Sequence, residues 1–99
     1  QDDYNRVVQG NRTFELVNGE WKYPYHIVHL NRASGALIIP KNTFHRSMSG
    51  EDGSIVINQA KRYDGFNASE EFIPVSCAEN HWLYKILMHE KPVIHTLGE

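Results

Sequence analysis

Six histidines in 99 residues are the first feature that could carry chemistry. Imidazole is the commonest metal ligand and the side chain that gains a proton near neutral pH. Spacing decides which of them can act together. His26 and His29 are three apart in a segment whose Tyr23-Pro24-Tyr25 entry and Ile27-Val28 pair favour a strand. Strand side chains alternate faces, so these two point to opposite sides. His81 and His89 lie eight apart on a predicted helix, about 12 Å at the helical rise, too far for one ion. His95 falls in a terminal strand or coil. Only His45 with His26 or His29 is left for a metal, and no metal or other cofactor is assigned. Cys77 and His81 are spaced to touch on a helix. A cysteine–histidine hydrolase also needs an orienting residue and an oxyanion site, so Cys77 reads as a small apolar residue. Arg12, Arg32, Arg46 and Arg62 have the fork geometry that suits phosphate oxygens, although each reads first as a solvated surface charge. No glycine-rich phosphate loop is present.

The elements that must position these residues are mostly short strands. Tyr4 to Val8 and Thr13 to Val17 read as strands around a turn at Gly10-Asn11. Asn18-Gly19 is a strong hairpin signal, because both residues tolerate positive φ. Tyr23 to Leu30 follows, with Pro24 near its start, where a missing N–H is tolerated. Asn31 to Gly35 is a loop, Ala36 to Ile39 a strand stopped by Pro40, and Thr43 to Met48 a further strand. Ser49 to Gly53 reads as a turn, Ser54 to Ala60 as an alternating strand, and Glu71 to Val75 as another. Such density of strands and glycine turns predicts a sandwich or barrel. The tail differs. Ser76 and Glu79 match a capping box, and Trp82, Leu83, Ile86 and Leu87 form a helical stripe. A helix from about Cys77 to Glu90 is predicted, ended before Pro92, with Val93 to Leu97 as a last edge strand. The stripe should pack on the sheet or on a partner.

The segment from Gly35 through Pro40 and Asn42 to His45 resembles the second motif of a cupin. Gly35 allows a tight entry to the strand, Pro40 and Asn42 set the turn, and Asn42 tolerates the left-handed region. Gly10 resembles the glycine that closes the first cupin motif. Leu30-Asn31, Phe44-His45, the strand Ser54 to Ala60, Tyr63-Asp64 and Glu71-Phe72 resemble the sugar-nucleotide 3,4-ketoisomerase branch of RmlC-like cupins. The resemblance runs from about Gly10 to Val75. It implies a mainly β, partial jelly-roll, cupin-like antiparallel sandwich of seven or so strands with one C-terminal helix. It also implies metal-free acid/base chemistry on a deoxythymidine-diphosphate keto-sugar. The upstream histidine pair of that branch is absent from Gln1 to Gln9. That pair is expected to lie before Gln1 or to be lost, the opening on Gln1 and not Met being what a trimmed product would show, and no catalytic residue is assigned.

These readings give one domain over 1–99, with a cupin-like core over about 4–75 and a helix and tail over 76–99. The favoured function is a cupin-like small-molecule binding domain for a ligand such as a nucleotide-sugar. The alternative is a ketoisomerase-type enzyme whose histidine motif lies before residue 1 or is lost. The expected ligand site is His45 with Ser47 on the same face, an aromatic wall from Tyr25 and Tyr23, and Tyr63 and Asp64 as further members. Phe44 and Arg46 should face the other way. A cupin lacking its first strands exposes sheet edges, so a symmetric homodimer is expected. Net charge −2, a pI near 6.3 and scattered basic residues argue against nucleic acid. Apolar runs of only about four residues argue against a membrane span. One cysteine excludes an internal disulfide and fits a cytoplasmic location.

Overall fold

The structure, a computed structural model, describes residues 2–60 and 81–98. These residues form β1 (Asp3–Val17), β2 (Tyr25–Asn31), β3 (Ala36–Ile39), β4 (Phe44–Ala60), α1 (His81–His89) and β5 (Val93–Thr96). β1 is the spine. One of its edges carries β4 along nearly its whole length. The other edge carries β2 on the C-terminal half and β3 on the N-terminal half. β5 then joins the free edge of β2 in parallel. The fold is mainly β, but the sheet is mixed and not wholly antiparallel, because the chain re-enters from α1 in the direction of β2.

The register forces β1 to bend. Ile39 lies opposite Asp3, while Phe44 lies opposite Val17. Five residue steps reach at most about 18 Å. A straight strand from Asp3 to Val17 would run about 46 Å. The ends of β1 must therefore approach each other, and they do. The His45 imidazole, opposite Leu16, comes within 3.7 Å of the Asp3 carboxylate. The bend lies where the β1–β4 register slips, between Val7 and Gln9 and between Gly10 and Arg12. Here residues 50–53 of β4 bow out against Asn11 alone, between the pairs Arg12–Ser49 and Gly10–Ser54.

This corner corrects two readings of the sequence. Gly10-Asn11 is not a turn between two strands, and Ser49 to Gly53 does not reverse the chain. Both segments are bulges inside long strands, so five strands occupy the described residues where about seven shorter ones were expected. The glycine signals were real. Gly10 and Gly53 take φ of 78° and 80°, which bends a ladder as readily as it closes a hairpin. The β1–β2 hairpin forms at Asn18-Gly19, with a loop over 18–24 that is longer than two residues. The Asn18 side-chain oxygen accepts from the Glu20 N–H at 3.0 Å, and the Asn18 backbone N–H donates to the Pro24 carbonyl at 3.0 Å. Asn42 takes φ 62° in the turn after Pro40.

The bend gives the sheet an inside. Val7, Leu37, Ile39 and Val56 of one arm pack against Phe14, Leu16, Val28 and Leu30 of the other. On the outer face of the second arm, Val17, Tyr25, Ile27 and Phe44 receive Leu83, Ile86 and Leu87 of α1. Leu83 is 1% exposed, so it is the anchor of the helix. Trp82, from the same stripe, stays half exposed beside Gly19. Cys77 to Asn80, the capping box and the predicted strand Glu71 to Val75 lie outside the described residues. No helix among the described residues is long and apolar enough to cross a membrane.

The corner makes an asymmetric prediction for two glycines of equal conformation. A Cβ at Gly10 would stand 2.2 Å from the Gly53 carbonyl oxygen, whereas one at Gly53 would meet nothing within 4 Å. Gly53→Ala should cost about 1–2 kcal/mol for its left-handed backbone alone. Gly10→Ala should cost about 3 kcal/mol or more, because backbone must also move. Urea unfolding of the two variants checks this, and equal losses would contradict so tight a corner.

Candidate functional site

Strand alternation assigns each candidate residue to a face. On β4, His45 and Ser47 stand opposite Leu16 and Phe14, and so face inward. Phe44 and Arg46 stand opposite Val17 and Glu15 on the helix side. His45 lies on an outer strand of its arm and is largely exposed. Its Nδ1 is 3.3 Å from the Thr43 carbonyl oxygen. A carbonyl only accepts, so Nδ1 is the donor in that contact, and Nε2 lies 3.7 Å from the Asp3 carboxylate. Ser47 accepts a hydrogen bond from Arg12 Nε at 3.0 Å.

The predicted aromatic wall does not assemble around His45. Tyr25 is buried on the opposite face, where its hydroxyl donates to Glu15 at 2.5 Å. It stands opposite Val17, and that parity turns it toward α1. Tyr23 is exposed in the loop after β1, with the Lys22 ammonium 5.5 Å from its ring centre. Tyr63 and Asp64 lie outside the described residues.

The structure instead gathers aromatic rings on the inner face one strand away from β1. Trp21 and His26 meet edge to face, with centroids 5.5 Å apart and planes at 79°. His26 then stacks on His95 at 5.3 Å and 21°. Together with Leu16, Val28, Leu37 and Leu97 they line an open apolar cleft of about 400 Å³. Hydrogen bonds fix the rings. His26 Nε2 lies 2.6 Å from the Tyr23 carbonyl oxygen, so Nε2 carries the proton. His26 Nδ1 and His95 Nε2 lie 3.0 Å apart, within hydrogen-bonding distance. The tail is held as well. The Leu97 N–H donates to the His29 carbonyl, and the Ser34 hydroxyl donates to the Leu97 carbonyl at 2.7 Å.

Trp21 and His95 were not singled out from the sequence. Trp21 lies between the Asn18-Gly19 hairpin signal and the strand that begins at Tyr23, and His95 is 69 positions from His26. Only the parallel pairing of β5, in which Val28 opposes His95, brings the two histidines together. His29 does point away from His26, and it bonds Thr13 at 2.8 Å on the other face. Among the described residues no group of three or more histidine, cysteine or acidic side chains could hold a metal ion.

On the helix side, one charged group is buried. Burial pushes the Glu15 carboxyl up, but the Tyr25 hydroxyl and the Arg46 guanidinium outweigh it and hold Glu15 below its ordinary value of 4.5. Burial, then the hydrogen bond to Glu15 and its charge, push Tyr25 up to about 12. Bonding to Glu15 raises Arg46 in turn. The signs of the two carboxyl-side effects differ. A lowered Glu15 stabilises the fold above pH 4.5, and that contribution fades as pH falls through the folded-state value. A raised Tyr25 stabilises below pH 10, and its contribution fades as pH climbs toward 12. Tyr25→Phe should therefore cost about 1.5–3 kcal/mol at neutral pH, the range for a bond to a charged group. It should also remove a tyrosinate absorbance step near pH 12. A spectrophotometric titration with no such step in the parent protein would contradict the triad.

No protein-family model matches the chain, and neither a curated protein nor a solved structure matches it.

Proposed function

We propose that this chain is a small-molecule binding domain of cupin-like kind, with its ligand in the cleft between Trp21, His26 and His95. The observation that carries this is the ring stack set into an otherwise apolar cleft of about 400 Å³. That volume lies in the range of pockets for drug-sized ligands, and a few polar groups on apolar walls are the usual pattern of such pockets. A flat ring fits the chemistry best. The indole and apolar walls take its faces, while His95 Nδ1, which the bonds within the stack leave unused, meets its polar rim. A nucleotide-sugar has such a ring in its base, which links the cleft to the ligand class that the motif around His45 implies.

The reading extends to assembly as a symmetric homodimer. The outer face of the N-terminal arm carries Tyr4, Ile38 and Ile57, all exposed, with Tyr4 and Ile38 directly opposed. An apolar patch on an exposed sheet face favours a partner over water. Light scattering should give twice the chain mass at micromolar concentration, and a stable monomer there would refute the dimer.

Binding is tested with a thymidine-diphosphate sugar, followed by calorimetry and by the fluorescence of Trp21 in a Trp82→Phe background. Saturable binding with quenching is expected. Trp21→Ala should weaken it at least fivefold, since stacking a base on an aromatic ring contributes about 1–3 kcal/mol. Equal binding by parent and variant would place the ligand elsewhere. Turnover of a keto-sugar would move the reading from a binding domain to the isomerase.

A further inference from the structure

Arg12 has no place in the cleft of Trp21, yet it is the centre of the densest side-chain network on β1. Its Nε donates to Ser47 Oγ at 3.0 Å. One terminal nitrogen donates to Ser49 Oγ at 3.2 Å and to Ser54 Oγ at 3.1 Å. Ser49 and Ser54 Oγ lie 2.7 Å apart. Among the described residues, these three hydroxyls are its hydrogen-bonding partners, and no carboxylate pairs with it.

The donor count shows what the cluster lacks. Guanidinium has five N–H groups and no acceptor, so each serine oxygen must receive and each hydroxyl hydrogen is left to give. Ser49 and Ser54 spend one of theirs on each other. That leaves the second terminal nitrogen of Arg12, the Ser47 hydroxyl and one of the Ser49–Ser54 hydroxyls as donors around one positive charge. A structural clamp across the β1–β4 corner would be complete with serines alone or with a carboxylate. A positive charge ringed by spare donors is instead complementary to an anion with several oxygens.

We propose that Arg12, Ser47, Ser49 and Ser54 form an oxyanion site that takes a phosphoryl group. The bend supplies the geometry. Ser49 and Ser54 are separated by the bow at residues 50–53 and return to the same arginine because Gly10 pairs with Ser54 and Arg12 with Ser49. Ser49 is exposed and Ser47, Ser54 and Arg12 are half-buried, so the cluster is reachable from solvent. Glu51 and Asp52 lie on the bow and are exposed. Water and salt screen exposed charges beyond about 10 Å at 0.1 M ionic strength. They weaken the site without closing it.

The proposal is independent of the ring-lined cleft. The measurement is the NMR signal of the Arg12 Nε–H and of the Ser49 and Ser54 amides in the intact protein. Inorganic phosphate and phenyl phosphate are added separately, with chloride holding ionic strength constant. Saturable shifts confined to these signals are expected, and tighter binding of phenyl phosphate would mark a phosphorylated molecule as the natural ligand over the free anion. Arg12→Lys keeps a charge but loses the fork, and should weaken binding about tenfold. Ser49→Ala/Ser54→Ala should do the same while leaving the fold intact. Trp21→Ala should leave the shifts unchanged. No saturable shift with either compound up to about 20 mM, or undiminished shifts in the serine variant, would overturn the site.

Discussion

The structure depends on one backbone approach, that of Gly10 to the Gly53 carbonyl. A side chain at Gly10 would occupy the space that this oxygen takes. Because none is there, β1 and β4 can fold over together, and only then can a connection as short as residues 40–43 join Ile39 to Phe44. Each glycine in a strand costs about 0.5–1 kcal/mol in chain entropy. Against this stand Val7, Phe14, Leu16, Val28, Leu30 and Ile39, all buried between the two arms. Each contributes about 1.5–3 kcal/mol on leaving water. Their burial depends on the bend, so the bend is a feature of the ladder and not a defect in it.

Alternation along the bent strands then divides the labour between two faces. Inward residues of the C-terminal arm build the core near Phe14 and the ring-lined cleft near Leu16 and His26. Outward residues receive α1. Glu15 is the exception, a carboxylate among Val17, Ile27 and Phe44 on the helix side. It is tolerated because Tyr25 and Arg46 both bond it, and Arg46 keeps its own charge partly in water. Such a pair adds little net stability over apolar residues, but losing one partner strands a buried charge. A further inward charge, Arg12, is met only by hydroxyls. The buried Glu15 and the half-buried Arg12 are therefore met differently, one by an opposite charge and one by hydrogen bonding alone.

Much of the local structure was legible in the residues. The alternation at Tyr25 to Leu30 separated His26 from His29, the parity on β4 separated His45 and Ser47 from Phe44 and Arg46, and the tail stripe marked a helix. What failed was the meaning of glycine. Gly10-Asn11 and Ser49 to Gly53 carry the same residues whether a chain reverses or only bends, and pairing partners far away decide between them. The site was harder still. Tyr25 looked like a wall for His45, but its side is set by pairing with Val17, which no local pattern specifies. Trp21 sits in a loop and His95 on a four-residue strand, so neither carries a period that points inward.

The cleft also inherits the weakness of its last strand. β5 has four residues on the outer edge of the sheet, and Ile94 is mostly exposed. Its attachments are the parallel ladder to β2, the His95–His26 bond, and the two bonds of Leu97. Segments with few buried contacts open at lower free energy than the core does. Yet His95 and Leu97 are walls of the cleft, so an undocked tail leaves only half of it. A ligand that touches both halves binds the docked state alone and stabilises it by RT ln(1 + [L]/Kd), about 2.7 kcal/mol at a hundredfold excess over Kd. Core strands need no such support. Were the cleft to bind as proposed, filling it and docking the tail would be one equilibrium, because His95 and Leu97 belong to both.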